Sequence, residues 1–156
     1  MAKKAITTKG LNETLAALEA VTNITGVSKA AVYAGAGVVI DTMKEEISTL
    51  QVTRYYGTEQ KMRYAWPGDA KVLLDAIGIA KIAADETVNT KVGFDGYYEA
   101  DNGERYPIPL LANSINHGTS FMYRQPFIDN TLKRCSKKVI AAMNEIFEES
   151  LKKATT

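Results

Sequence analysis

Cysteine and histidine are nearly absent from this sequence, which has Cys135 and His117 as single representatives. One cysteine cannot form an internal disulfide, and small secreted domains more often pair their thiols, so we expect synthesis and folding in the cytosol. One histidine excludes every site that needs two imidazoles, including the common zinc sites. We therefore predict no metal site. Cys135 falls on an apolar helix seam, and we interpret it as a buried, unreactive thiol.

An excess of charge and a long apolar run are also missing. The 19 Lys and Arg residues nearly balance the 18 Asp and Glu residues, for a formal net charge of +1. Dedicated nucleic-acid-binding proteins usually carry a basic surplus, so the balance argues against that class. The longest apolar run, residues 30–40, has about 11 residues against the roughly 20 that cross a bilayer. The N-terminus has no signal-peptide pattern, and we expect a soluble protein without a membrane partner.

The chain length and composition suit one compact domain. Its 156 residues are 46% apolar, which is enough for a hydrophobic core and not enough length for two ordinary domains. We predict a single domain over residues 1–156, with residues 1–10 as a flexible N-terminal arm.

Three segments have apolar residues at helical spacing. Residues 11–21 predict a short amphipathic helix, and a longer second helix is expected from an N-cap at Ser28 to about Leu50. The last helix is expected to begin with Pro126 at its first position and to continue to Lys152.

Gly35 and Gly37 lie inside the second of these helices. The stretch has neither the third glycine nor the preceding strand of a dinucleotide-binding loop, so that reading is rejected. Glycine inside a helix costs about 1 kcal/mol relative to alanine. The pair therefore indicates that another helix, of this chain or of a second subunit, packs closely there.

The middle of the chain predicts short strands. Residues 77–83 and 89–94 have strand patterns separated by a hairpin-length link. Pro107 and Pro109 exclude a long central strand after them. We predict an α+β fold with two N-terminal helices, a small antiparallel β-sheet, and a long C-terminal helix packed on the sheet.

No group of residues predicts catalysis or a cofactor. His117 could formally join Ser114 or Ser120 in a hydrolase, but neither serine has the Gly-x-Ser-x-Gly surroundings of a nucleophile elbow. An acidic cluster lacks the alternate spacing of a calcium loop, and we interpret it as solvated turns. Its members are Asp95, Glu99, Asp101 and Glu104.

A basic stripe on the last helix is the one feature that suits an acidic partner. Its members are Lys133, Arg134, Lys137 and Lys138. Such a stripe is usually a solvated face, and it also suits contact with an acidic protein or with a DNA backbone in a channel. A small DNA-associated or regulatory binding module built on this stripe therefore remains an alternative function.

Several stretches resemble the neck or tail-completion proteins of long-tailed phages, a family also found in prophages and phage-tail-like bacteriocins. In that family a Gly-Thr-Ser turn is followed by Pro-Phe and an apolar residue, which open the C-terminal helix. The matching residues here are Gly118, Thr119, Pro126, Phe127 and Ile128. Similar too are the N-terminal helix with Gly10, Leu11, Leu15 and Leu18, the small-residue-rich second helix, and the strand end at residues 92–96. His117 departs from the acidic residue common before Gly-Thr.

The resemblance implies a non-enzymatic structural subunit at the head–tail neck or tail end of a phage particle assembled in the bacterial cytoplasm. Its expected partners are copies of itself in a ring, with six as the expected number, and the neighbouring neck, connector and tail-tube proteins. Gly118 is expected to permit a turn, and Phe127 with Ile128 to anchor the last helix to the sheet. Expected subunit or partner contacts are Tyr55, Tyr56, Tyr64, Trp66, Tyr97, Tyr98, Arg105 and Tyr106.

Overall fold

The computed structural model describes residues 24–53, 62–82, 88–100 and 103–155. The predicted arm at residues 1–10, the predicted helix at residues 11–21, and Tyr55 and Tyr56 lie outside the described residues.

The described elements alternate between helices and very short strands. In chain order they are α1 (Ile24–Ser48), α2 (Pro67–Ala76), β1 (Ile77–Ile79), β2 (Val92–Phe94), β3 (Tyr97–Glu99), β4 (Arg105–Pro107), α3 (Ile108–His117) and α4 (Phe127–Thr155). The α+β class and the long C-terminal helix that the sequence predicts are confirmed.

Helices α1 and α4 form a long antiparallel pair. Arg134 of α4 bonds to Glu45 and Glu46 near the end of α1, whereas Met143, further along α4, lies beside Gly35 in the middle of α1. The close helix packing that the glycines predict is therefore present at Gly35. Nothing lies within 4 Å of a Cβ built on Gly37.

The packing of α4 on the sheet is corrected by the structure. Helix α4 packs chiefly along α1, and its first residue, Phe127, reaches β2 through an edge-on contact with Phe94 at a 6.1 Å ring separation. Strands of three residues are too short to cover a helix of 29 residues, and α1, with 25 residues, matches it better.

Two separate hairpins replace the single predicted sheet. Strand β1 pairs antiparallel with β2, in a register that sets Ile77 opposite Phe94, and β3 pairs antiparallel with β4, with Tyr98 opposite Tyr106. Gly96 lies in the short connection between the two hairpins. Its φ of 91° is a backbone angle that glycine adopts more readily than other residues. The predicted strands at residues 77–83 and 89–94 are thus present in shortened form.

Helix α3 lies at the centre of the core and was not predicted as a helix. Leu111, Ala112 and Ile115 of α3 are buried together with Ile47 of α1 and Leu73 of α2. From Pro107 and Pro109 the sequence excludes only a long central strand and does not predict a helix. A proline is also tolerated in the first turn of a helix, and this is the role that Pro109 takes.

Two predicted helix starts are shifted. Ser28 lies inside α1, which already includes Ile24, so its interpretation as an N-cap is wrong. Helix α4 begins at Phe127, and the Pro126 carbonyl accepts the Asn130 N–H at 2.9 Å. Pro126 therefore occupies the cap position, one residue before the predicted place.

Among the described helices, α1 is the one long and apolar enough to cross a membrane by length and composition. The sequence-based comparison with a bilayer used only the uninterrupted apolar run, residues 30–40, and not the whole of this helix. A core helix of a soluble protein meets the same two criteria. Gly35 of α1 faces α4, and Met43 and Ile47 belong to the buried core.

Candidate interaction surface

A tight turn after α3 contains Gly118 and Thr119. Gly118 has a φ of 75°, and a Cβ built on it would lie 3.0 Å from both the Arg124 nitrogen and the Met122 oxygen. Thr119 and Met122 then exchange two backbone hydrogen bonds, with N–O distances of 2.9 and 3.3 Å. Both the backbone angle and the close approach require glycine, as the sequence predicts for position 118.

The start of α4 is held by a buried side chain from α3. The Oδ1 atom of Asn116 accepts the Ile128 N–H at 3.0 Å, and Asn116 is only 1% exposed. Phe127 beside it is 2% exposed and is the anchor that the sequence predicts. Asn116 was missed because a buried asparagine has no spacing signal that separates it from a surface one.

The segment at residues 62–66 is joined to its neighbours by isolated β-bridges, from Arg63 to Met122 and from Ala65 to Val52. The Arg63 N–H donates to the Phe121 carbonyl at 2.9 Å, and the Tyr123 N–H donates to the Arg63 carbonyl at 2.8 Å. These bonds bring the rings of Tyr64 and Tyr123 to a centroid distance of 4.9 Å. Tyr64 therefore lies against a second aromatic residue that sequence reasoning had not selected.

Trp66 stands at the start of α2 with its ring partly exposed. Its backbone N–H donates at 2.7 Å to Oδ2 of Asp69, the third residue of the helix, which is one half of a capping box. The Arg63 guanidinium carbon lies 4.8 Å from the centre of the Trp66 ring, a cation–π geometry. Burial raises the pKa of Asp69 above its usual range, opposed by the Trp66 hydrogen bond and the Arg63 charge.

The β3–β4 hairpin carries aromatic residues on both faces. On one face the rings of Tyr98 and Tyr106 lie 5.9 Å apart. Burial, followed by the charge of Asp69, raises the pKa of the Tyr98 hydroxyl. On the other face the Arg105 guanidinium carbon lies 5.3 Å from the Tyr97 ring centre, and Tyr97 is 62% exposed.

The four predicted contact residues of the hairpin thus separate into two groups. Tyr98 and Tyr106 form a partly buried face, and Tyr98 packs against the core. Tyr97 and Arg105 form the outward face of the hairpin, which we call the Tyr97–Arg105 surface. This outward face is the part of the predicted set that is most available to a partner.

One of the four residues of the basic stripe forms ion pairs with α1. Arg134 bonds to Glu46 and lies 3.0 Å from Glu45, and these hydrogen bonds and charges raise the pKa of its guanidinium. Lys133, Lys137 and Lys138 are exposed. Arg134 therefore serves the contact between α1 and α4, and three of the four predicted cations face outward.

An open cleft of about 340 Å³ lies between the end of α1 and the start of α4. Gln51 and Gln125 close one side, since the Gln125 side chain accepts the Gln51 N–H at 2.7 Å and donates to the Gln51 carbonyl at 3.0 Å. Arg124 in its wall already pairs with Asp129 at 2.9 Å. The cleft is polar, and its arginine is engaged within the chain.

The single histidine lies at the end of α3 and the single cysteine lies within α4. His117 is the exposed last residue of α3, with Nε2 3.3 Å from Asn116 Nδ2. Cys135 is buried, as the sequence predicts. Within the described ranges, no three His, Cys, Asp or Glu side chains come together in a way that could hold a metal ion.

No known protein family, no curated protein sequence and no solved structure matches this chain.

Proposed function

We propose that this chain is a structural subunit of the head–tail neck or tail end of a tailed phage or phage-tail-like particle. In this proposal it forms a homo-oligomeric ring that joins or completes the tail. The order of the Gly-Thr turn, the Pro-Phe helix start and the earlier motifs supports the class. The Tyr97–Arg105 surface is the observation that supports a ring contact.

Tyr97 has the properties of an interface anchor. Its ring is large, mostly exposed and held in place by Arg105. Tyr and Arg are enriched at interface cores. A tyrosine ring buries a large area and loses little side-chain freedom, and an arginine makes several directed hydrogen bonds. A partner that covers Tyr97 would also remove water from the cation–π pair and strengthen it.

The hairpin that carries Tyr97 is fastened at three points. The Ala100 N–H donates to the Glu104 carbonyl at 2.9 Å, and the Ile108 N–H donates to the Gly96 carbonyl at 3.0 Å. The Asp95 N–H donates to the Ala76 carbonyl at 3.2 Å. A preorganised surface costs less entropy on binding than a loop that must first become ordered. This suits a subunit that repeats one contact around a ring.

The test is the oligomeric state of the purified protein, measured by sedimentation and by negative-stain microscopy. A Tyr97→Ala, Arg105→Ala variant is expected to lose the ring while keeping the wild-type melting temperature. Phe121→Ala is the matched control, since Phe121 is an exposed aromatic residue outside the predicted contact set. A wild-type protein that remains monomeric at all concentrations would contradict the ring.

Duplex DNA binding separates this proposal from the alternative binding module. A module that uses the basic stripe should bind duplex DNA with an affinity that falls steeply with salt. A neck subunit should bind weakly, and charge reversal of Lys133, Lys137 and Lys138 should leave its ring intact. Tight, salt-dependent binding by a protein that forms no ring would favour the module.

A further inference from the structure

A closed ring of more than two copies needs two different surfaces on every chain. Each copy offers one surface to the copy before it and the other to the copy after it, whereas a surface that binds itself ends at a pair. The Tyr97–Arg105 surface is one of the two, and the identity of the other rests on the proposed ring. Tyr97 projects from a hairpin, so its counterpart should be concave. The described residues contain such a feature in the open cleft between the end of α1 and the start of α4.

The cleft is lined by both apolar and polar groups. Leu50, Tyr64 and Pro126 contribute apolar surface, and Gln51 and Asn130 contribute amide groups. Its volume of about 340 Å³ lies at the lower end of the range for clefts that hold a ligand. A tyrosine side chain has an apolar ring with one polar end, which is the combination that this lining fits.

Both charged side chains that line the cleft are already paired within the chain. Glu46 bonds to Arg134, and Arg124 lies 2.9 Å from Asp129. A charged group that entered the cleft would have to compete with one of these pairs. The cleft therefore suits a neutral side chain that brings one hydrogen-bonding group. Asn130 is exposed, and its amide can meet that group.

The walls of the cleft are fixed before anything binds. The Gln125 side chain holds both the N–H and the carbonyl of Gln51, at 2.7 and 3.0 Å. The ring of Tyr64 is supported by the ring of Tyr123, at a centroid distance of 4.9 Å. A preformed cleft loses less entropy on binding than one that must first become ordered. The hairpin and the cleft are thus both preorganised.

We propose that the cleft of each copy receives Tyr97 of the next copy, so that the chains bind head to tail. Arg105 covers one face of the Tyr97 ring. The opposite face packs on Tyr64 and Pro126, and the hydroxyl group bonds to the amide of Asn130. Each copy keeps its own hairpin for the copy on its other side, so the same contact repeats until the ring closes.

The first test blocks the cleft with a large side chain. Asn130 is exposed in the first turn of α4, so Asn130→Trp fills the cleft without entering the core. Thr49→Trp, also at an exposed position, blocks the cleft from the end of α1. Each variant is expected to sediment as a monomer at concentrations where the wild type forms the ring, with an unchanged melting temperature. Asn144→Trp is the matched control and should keep the ring, since Asn144 is exposed on the same helix outside the cleft.

A mixture of two defective variants distinguishes a head-to-tail contact from a surface that binds itself. The Tyr97→Ala, Arg105→Ala chain keeps its cleft, and the Asn130→Trp chain keeps its hairpin. Together they retain one intact contact, so an equimolar mixture should form a 1:1 heterodimer and grow no further. The mixture should associate at least about tenfold more tightly than either variant with itself, because one interface anchor is restored. Sedimentation velocity with a fluorescent label on one of the two chains identifies the heterodimer.

The possible failures are distinguishable. A wild-type chain that forms no ring removes the proposed function and this contact together. A wild-type ring that both cleft variants preserve leaves the ring standing and excludes the cleft as its receiving surface. A mixture that stays monomeric, after each variant alone has lost the ring, shows that Tyr97 binds elsewhere. A heterodimer in the mixture also shows that the Asn130→Trp chain is folded, because its hairpin supplies the contact.

Discussion

Gly35 of α1 lies directly against Val139 of α4: a Cβ built on the glycine would be 3.1 Å from Val139 Cγ1. The Met143 Cγ is at the same 3.1 Å distance. Few real Cβ contacts are so short, so the two helices approach each other as closely as they do because position 35 has no side chain. Gly37, two residues on, has open space around it.

Alanine at these two glycines should therefore have opposite effects on stability. Gly37→Ala should raise the free energy of unfolding by about 0.5–1 kcal/mol, because alanine favours a helix over glycine and nothing obstructs its methyl group. Gly35→Ala gains the same helix preference but overpacks the helix contact, at a cost of about 1–3 kcal/mol. Urea denaturation of both variants measures the difference. Equal effects would contradict the close approach of α1 and α4.

Gly118→Ala should destabilise the chain more than a change at an ordinary loop glycine. The substitution combines a backbone angle that disfavours side chains with a methyl group 3.0 Å from the Arg124 nitrogen and the Met122 oxygen. We expect a loss of about 1–3 kcal/mol in the free energy of unfolding. Gly103→Ala is the control, since it has a similar φ of 77° but open space around it. The excess loss at Gly118 measures the close packing.

The sequence predicted the elements in which apolar residues recur at helical spacing over many turns. The apolar seam of α4 extends over many turns, and the two glycines of α1 indicated a close neighbour before α4 was known to be that neighbour. The partner of α4 was predicted wrongly, because periodicity shows that a helix has an apolar side and says nothing of which element covers it. Helix α3 was missed because the two prolines near its start were used only to exclude a long strand, although the first turn of a helix accepts proline.

Phe127→Ala should remove the main anchor of α4. The ring is almost fully buried and packs edge-on against Phe94, so its loss leaves a cavity that the short hairpins cannot fill. We expect a loss of about 3–5 kcal/mol in the free energy of unfolding. Exposed Phe121 is the control, for which alanine should cost less than about 0.5 kcal/mol. An unchanged melting temperature for Phe127→Ala would show the assignment to be wrong.

Asn116→Ala should loosen the first turn of α4 without emptying the core. The substitution removes the oxygen that accepts the Ile128 N–H, and that donor is then left without its partner in a part-buried position. We expect a loss of about 1–3 kcal/mol. Hydrogen exchange of the Ile128 amide should accelerate more than that of amides in the middle of α4. Uniform acceleration along the helix would indicate global destabilisation and no specific role in the cap.

The sequence predicted which residues belong to the candidate surface, and it did not predict which of them lie on the same face. Tyr97, Tyr98, Arg105 and Tyr106 stand out as aromatic and cationic residues around turn signals. The strand register decides that Tyr98 faces Tyr106 while Tyr97 meets Arg105 on the other side, and three-residue strands carry too little pattern to set that register. The engagement of Arg134 by two glutamates of α1 depends on the packing of two distant helices, which lies beyond local spacing.

Asp69 should make stability fall as the pH rises above the ordinary carboxyl range. Burial raises the pKa of Asp69 above 3.8 in the folded chain, so the folded state still holds the proton at pH values where the unfolded state has released it. Between 3.8 and the raised pKa the unfolded state binds fewer protons, and the free energy of unfolding therefore decreases with pH and stays lower at neutral pH. Asp69→Asn keeps an oxygen for the Trp66 N–H but carries no charge, so its stability relative to the wild type should be higher at pH 7 than at pH 3. Asp69→Ala, which also removes the acceptor for the Trp66 N–H, should be about 1 kcal/mol less stable than Asp69→Asn at both pH values. A wild-type and Asp69→Asn difference that is constant with pH would show that the carboxyl group titrates as in the unfolded chain.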